Sequence, residues 1–302
     1  MAYQEIVVHQ GLDQRTPDRL ELSAHLAQTH EARLIGVHTA GDLRLPSGVW
    51  PSPNINFREE LETKYSAAIA DVEAKFSDCA QRYGVRSEWR TVALPYAAGL
   101  TQTAHCSDLV VIGQADPDEP IDLRRKVEAV VLGAGGPVLV IPYAGRFKTV
   151  GRRVMVAWNG SRESARAVRD ALPILADAEE VVVFQINPPD PDSLAGVDLA
   201  EHLARHGVRT TTSRMATSSR TDAVDAETTA ASDFGFSQHG GVWHGPTSQI
   251  SDGNALLDAV SDAGVDMLVM GAYGHARLRE LVLGGVTQHI LREMTVPVLM
   301  SH

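Results

Sequence analysis

Short runs of β-branched and aliphatic residues recur along the chain without polar alternation, and between them lie longer stretches with helical spacing of apolar positions. EIVVHQG (Glu5 to Gly11) leads into an amphipathic stretch to Thr29 and then LIGVHT; GVRSEWRTV begins at Gly84, SDLVVIG ends at Gly113, and GGPVLVIPY follows. Such runs are strands buried on both faces, and their alternation with helices is the pattern of βαβ units. The prediction is a five-stranded parallel sheet with helices on both faces and right-handed crossovers.

The same pattern then starts again. VMVAWNG (Val154 to Gly160) answers the first run, SRESARAVRDALPILADA the amphipathic stretch, and VVVFQIN the second run. GVRTTTSRM from Gly207, VDMLVMG ending at Gly271 and TVPVLMSH complete the second copy. Gly11 and Gly160 lie 149 positions apart, Gly84 and Gly207 123, Gly113 and Gly271 158, and Pro137 and Pro297 160. The changing offsets locate insertions: GDLRLPSGVWPSPNINF in the first copy and residues 216–253 in the second, both expected as loops. The second insertion is rich in Ser, Thr, Ala, Asp and Gly and reads first as a surface or disordered loop. Its FGFSQHGGVWHG stretch leaves open a cover over the strand ends of that copy.

The fold class predicted is therefore α/β, two flavodoxin-like or Rossmann-like doubly wound domains in tandem, at 1–146 and 147–302. The length of 302 residues agrees with two domains. In such sheets ligands sit beyond the carboxyl ends of the strands at the switch point beside strand one. Strands one and four both end in glycine, which directs attention to that mouth.

In the second copy, Gly271-Ala272-Tyr273-Gly274 follows strand four, and after nine residues Gly284-Gly285-Val286-Thr287 opens a helix expected to run to about Glu293. Glycines at a strand end and a helix start let backbone N–H groups approach a phosphate. They serve equally to turn the chain (Gly271) and to pack a helix closely (Gly284, Gly285), and spacing alone leaves both uses open. His275, Arg277 and Arg279 follow the loop, Arg277 being the favoured phosphate contact, since Arg277 and Arg279 would diverge on a helix. Thr287 has a hydroxyl for a ligand or for the helix start.

Composition narrows the classes. With 27 Lys and Arg against 38 Asp and Glu, a net charge of −11, a broad nucleic-acid-binding surface is not expected. No apolar run approaches the roughly 18 residues of a membrane span. The two cysteines, Cys79 and Cys106, build no disulfide framework, and no secretion signal opens the chain, so a cytoplasmic location is expected. No G-x-S-x-G elbow or G-x-x-x-x-G-K-[ST] loop is present, which argues against hydrolase and P-loop NTPase chemistry. His239 with His244 in a Gly-rich loop, and His202 with His206 at i, i+4 on a helix, are suggestive in spacing only, since a zinc site wants three or four ligands and there is no CxxC, HExxH or paired thiolate; His9 and His38 near strand ends read as ordinary mouth or core histidines, so no metal is expected.

GAYGHARLRELVLGGVTQHILREMTVPVLMSH resembles the closing segment of universal stress proteins, and the repeat extends the resemblance over essentially the whole chain as a tandem pair. Nucleotide-binding members of that family carry glycine, two residues, glycine, nine residues, glycine, then Ser or Thr. Gly271, Gly274 and Gly284 match, and Gly285 stands at the Ser/Thr position. Those members usually end strand one with Asp-Gly-Ser; here the segment is Asn159-Gly160-Ser161, which hydrogen-bonds without a charge.

The resemblance implies a non-enzymatic stress-response protein that binds adenine nucleotide (ATP) in the second copy, with no metal. It also implies that the closing strands PVLVIPY and PVLMSH pair within the chain as a pseudo-dimer; further homodimerisation is left open. The first copy has no second glycine three positions after Gly113, has Arg124 or Arg125 near the place of Gly284, and carries the acidic Asp116, Asp118 and Glu119, which repel phosphate. It is expected to bind no nucleotide and to act as a structural or regulatory partner. The competing reading is a structural or protein-interaction module that binds no nucleotide in either copy.

Overall fold

The structure is a computed structural model that describes residues 2–40, 55–116, 121–187, 195–216, 246–273 and 285–302. The chain separates into two compact units, Met1–Val150 together with Leu299–His302, and Gly151–Val298.

The first unit contains β1 (Glu5–His9), α1 (Thr16–Thr29), β2 (Arg33–Thr39), α2 (Ile55–Tyr83), β3 (Ser87–Val92), α3 (Tyr96–Ala104), β4 (Leu109–Gly113), α4 (Ile121–Gly133) and β5 (Val138–Ile141). Its strands lie in the order β3-β2-β1-β4-β5, the Rossmann-type arrangement, in which the order reverses at β1. The pairs are parallel, with Val7 opposite both Ile35 and Val110. Ile6, Val7, Val8 and Val138 to Val140 are fully buried, as two-sided burial of unbroken apolar runs requires. α1 packs against α2, and α3 against α4.

The second unit contains β6 (Arg153–Ala157), α5 (Arg162–Asp177), β7 (Glu180–Ile186), α6 (Ala195–Arg205), β8 (Thr210–Met215), α7 (Pro246–Asp262), β9 (Met267–Gly271) and α8 (Gly285–Glu293), and ends where β10 (Val298–Ser301) begins. The strands β9-β6-β7-β8 pair in parallel and repeat the reversal, now between β6 and β9.

An aspartate closes the end opposite the mouth in each unit. The Asp108 carboxylate, at the start of β4, accepts from the N–H groups of Gln4 (2.7 Å) and Glu5 (2.9 Å). Asp266, at the start of β9, accepts from Gly151 (3.0 Å), Arg152 (3.1 Å) and Arg153 (3.2 Å). Each satisfies backbone donors where the first strand of its unit enters the sheet.

One boundary differs from the sequence reading: the insertion expected as loop over 216–253 ends in helix, since α7 starts at Pro246. Proline at a first helical position presets φ and sacrifices no internal bond. Leu256, Ala259 and Val260 supply the buried face farther along. Gly253 lies inside α7, where an added Cβ would come within 2.5 Å of the His289 ring on α8. This glycine packs two helices together. Residues 217–245 of the insertion, including FGFSQHGGVWHG, lie outside the described residues, as do 41–54 of the first insertion; Ile55 to Phe57 begin α2. No helix among the described residues is long and apolar enough to cross a membrane.

Candidate functional site

In the second unit the chain leaves β6 through Trp158, Asn159 and Gly160 and starts α5 at Ser161. Gly160 has φ +73°, a left-handed conformation that glycine adopts without penalty, and among the described residues nothing lies within 4 Å of the place its Cβ would take. Asn159 Oδ1 accepts from the Ser161 N–H (3.1 Å), fixing the turn. Ser161 caps α5: its Oγ accepts from the Ser164 N–H (3.1 Å). Asn159 and Gly160 are exposed, and the Asn159 amide nitrogen has no partner among the described residues. The indole N–H of Trp158, next in the chain, is buried and equally without a described partner.

The first turn of α5 contains an acid that spacing did not single out. Glu163 is 5% exposed. Burial pushes its carboxyl up, but hydrogen bonds from Arg162, its own N–H and Ser161, with the Arg162 charge, hold it below the ordinary carboxylate value. The signal available was a carboxylate in the first turn after a Ser cap, which reads as helix stabilisation.

Strand β9 runs beside β6, with Met270 opposite Ala157, so the ends of both strands meet at one mouth. A Cβ at Gly271 would lie 2.5 Å from the Ser164 backbone nitrogen and 2.6 Å from the Glu163 carbonyl carbon. Its missing side chain therefore admits the first turn of α5 and leaves no gap for a ligand on that side. Tyr273 is buried and holds φ +60°, uncommon for a bulky side chain. Its N–H donates to Thr287 Oγ1 at 3.2 Å. Thr287 is 4% exposed and ties the end of β9 to the first turn of α8; Gly285 begins that helix.

The structure thus gathers Asn159, Gly160, Ser161, Gly271, Gly285 and Thr287 around the ends of β6 and β9. Gly274, Arg277 and Gly284, with His275 and Arg279, lie outside the described residues. In the first unit Asp116, Arg124 and Arg125 are described and Asp118 and Glu119 are not.

Other candidate groups are engaged elsewhere. The His38 Nδ1–H donates to the Gln10 carbonyl (2.9 Å) while Nε2 accepts from the Tyr65 hydroxyl (2.8 Å), a satisfied core histidine. His9 packs edge-on against Tyr96, and His202 against His206 on α6. Cys79 is buried, which pushes its thiol up, and Cys106 is exposed before β4. Among the described residues no three His, Cys, Asp or Glu side chains are placed to hold a metal ion; His239 and His244 lie outside them.

Comparison with known proteins agrees with this architecture. A universal stress protein of Synechocystis is 44% identical over 45 residues, 15% of this chain and 16% of that protein. One of Methanocaldococcus jannaschii is 36% identical over 44 residues, 15% of this chain and 27% of that protein. The chain thus spans well under a third of either relative. Among solved structures, a universal stress protein from Archaeoglobus fulgidus superposes with a TM-score of 0.68 at 15% identity, over 98% of this chain and 95% of that one, a likeness of fold. The profile of the universal stress protein family matches residues 151–302, half of the chain. The chain belongs to the universal stress protein family.

Proposed function

We propose that the second unit binds an adenine nucleotide, ATP, at the mouth formed by the ends of β6 and β9, and that the protein acts in the stress response as a ligand-reporting, non-enzymatic module of the cytoplasm. The observation that carries this reading is the Asn159-Gly160-Ser161 turn. Asn159 and Gly160 are exposed, no described residue lies within 4 Å over Gly160, Asn159 has an amide nitrogen to donate, and the turn stands beside the strand that leads into the glycine loop. The spacing of Gly271, Gly274 and Gly284 supports it, as does the unpartnered indole N–H of Trp158. Arg277 is the cation assigned to the phosphates. The two chain halves as a pseudo-dimer, and two whole chains as a homodimer, belong to the same reading; sedimentation equilibrium tests the second.

The alternative, an interaction module that binds no nucleotide, draws on different observations. Gly271 spends its missing side chain on α5, the Thr287 hydroxyl is taken by Tyr273, and the buried Glu163 carboxylate opposes a phosphate near the start of α5. Mass spectrometry of small molecules released from freshly purified protein separates the two. Adenine nucleotide at one equivalent per chain supports the first; none released, and none rebound by the stripped protein, establishes the second.

A further inference from the structure

α1 of the first unit has no side-chain cap from Arg15, the residue at its start. The cap comes instead from Asp13, two residues earlier. Asp13 Oδ1 accepts from the Arg15 N–H (3.0 Å), and Oδ2 accepts from the Thr16 hydroxyl (2.8 Å) and from Arg19 Nη2 (2.9 Å). Arg19, one turn into the helix, is 2% exposed. Its Nε donates to the His9 carbonyl at 3.0 Å, and its Nη1 lies 2.6 Å from the place a Cβ on Gly113 would occupy. The glycine ending β4 thus makes room for a guanidinium between the ends of β1 and β4.

A rigid buried guanidinium, a hydroxyl and a backbone N–H at a helix start are the donors that hold a phosphoryl group. Here they converge on a carboxylate from the same chain. The Asp13 side chain is 45% exposed, so the internal anion sits at the solvent side of the cluster. A second observation falls in the same place. Gln10, just past the end of β1, is fully buried, and neither its carboxamide oxygen nor its nitrogen is hydrogen-bonded among the described residues. It lines, with Asp13 and Thr16, a cleft of about 980 Å³ that continues between α1 and α2. Buried carboxamides are ordinarily paired, and an unpaired one beside a cluster of anion donors marks a place fitted for polar ligand atoms.

We propose that the strand-end mouth of the first unit is an anion site that carries its own anion: the Asp13 carboxylate occupies the place of an external phosphate, against Arg19, Thr16 and the Arg15 N–H. The wild-type unit is closed to phosphate because the position is filled and negatively charged. Removing that one carboxylate opens it. The inference concerns the first unit alone and does not depend on nucleotide binding by the second.

Equilibrium dialysis of full-length protein against inorganic phosphate, with ionic strength held constant by chloride, tests it. Asp13→Ala is expected to take up one equivalent per chain more than wild type, and the Asp13→Ala/Arg19→Gln double variant to return to the wild-type value. Circular dichroism checks that each variant is folded; should Asp13→Ala fail that check, Asp13→Asn, which keeps the size of the side chain, is read in its place. Equal uptake by wild type and the folded single variant, or an extra equivalent that survives loss of Arg19, overturns the proposal.

Discussion

Gly113 and Gly271 end the fourth strand of their units, and both give their missing side chain to the chain itself. At Gly271 the neighbour is backbone, the first turn of α5, which moves only if the helix moves. Gly271→Ala is therefore expected to lower stability by about 1–3 kcal/mol, as overpacking does, measured by urea unfolding. At Gly113 the neighbour is the tip of Arg19, and the same substitution is expected to cost less. Thr287→Val keeps shape but removes the acceptor of the buried Tyr273 N–H, at an expected loss of about 1–3 kcal/mol in thermal or urea denaturation. An unchanged midpoint would remove Thr287 from the account. Partial burial raises the Asp13 carboxyl, but the charge and hydrogen bonds of Arg19, with Thr16 and the nearby His9, more than offset it and hold the group at about 2, against an ordinary 3.8. The folded value is depressed, so the stabilisation is complete above pH 3.8 and disappears as pH falls through 2. Following the Asp13 side-chain carbon by NMR should show a midpoint near 2; a midpoint near 4 would mean that the Arg19 pairing is absent in solution.

At the scale of elements, the unbroken apolar runs made the inner strands of both units legible, since two-sided burial leaves a composition that helices and edge strands do not share. β3 and β8, expected to be buried on both faces, are half-buried and largely exposed respectively, and the repeat rather than their composition marked them. The glycines marking the mouth were legible as positions but not as roles. What Gly271 meets is Ser164, far away in sequence, and no local spacing encodes that contact. Gly253 was read with a loop because its surroundings are Ser-, Thr- and Asp-rich, whereas its use is the close approach of α7 to α8. Asp108 and Asp266 occupy the same place in the repeat, within SDLVVIG and VDMLVMG, and the apolar pattern assigns them no role; their work is done on the N-terminal ends of β1 and β6. Asp266→Ala leaves three backbone donors without their acceptor, an expected loss of about 1–3 kcal/mol. Asp266→Asn, which keeps an oxygen, is expected to lose less, and equal stability of all three proteins in urea would refute the role.

For the whole molecule, the repeat produces two strand-end mouths of unequal chemistry. The first is filled by Arg19 and Asp13; the second presents the Asn159-Gly160-Ser161 turn, with Asn159 and Gly160 exposed. The central claim is thus a stoichiometry: one adenine nucleotide per chain, held by the second unit alone. Isothermal titration of nucleotide-free protein with ATP tests it most directly, run in parallel on Gly274→Asp, which adds a side chain and a negative charge to the glycine loop and is expected to weaken binding about a hundredfold or more while leaving the melting temperature unchanged. One equivalent bound by wild type and lost in the folded variant is the predicted result. No binding, two equivalents, or equal affinity in Gly274→Asp would contradict the account.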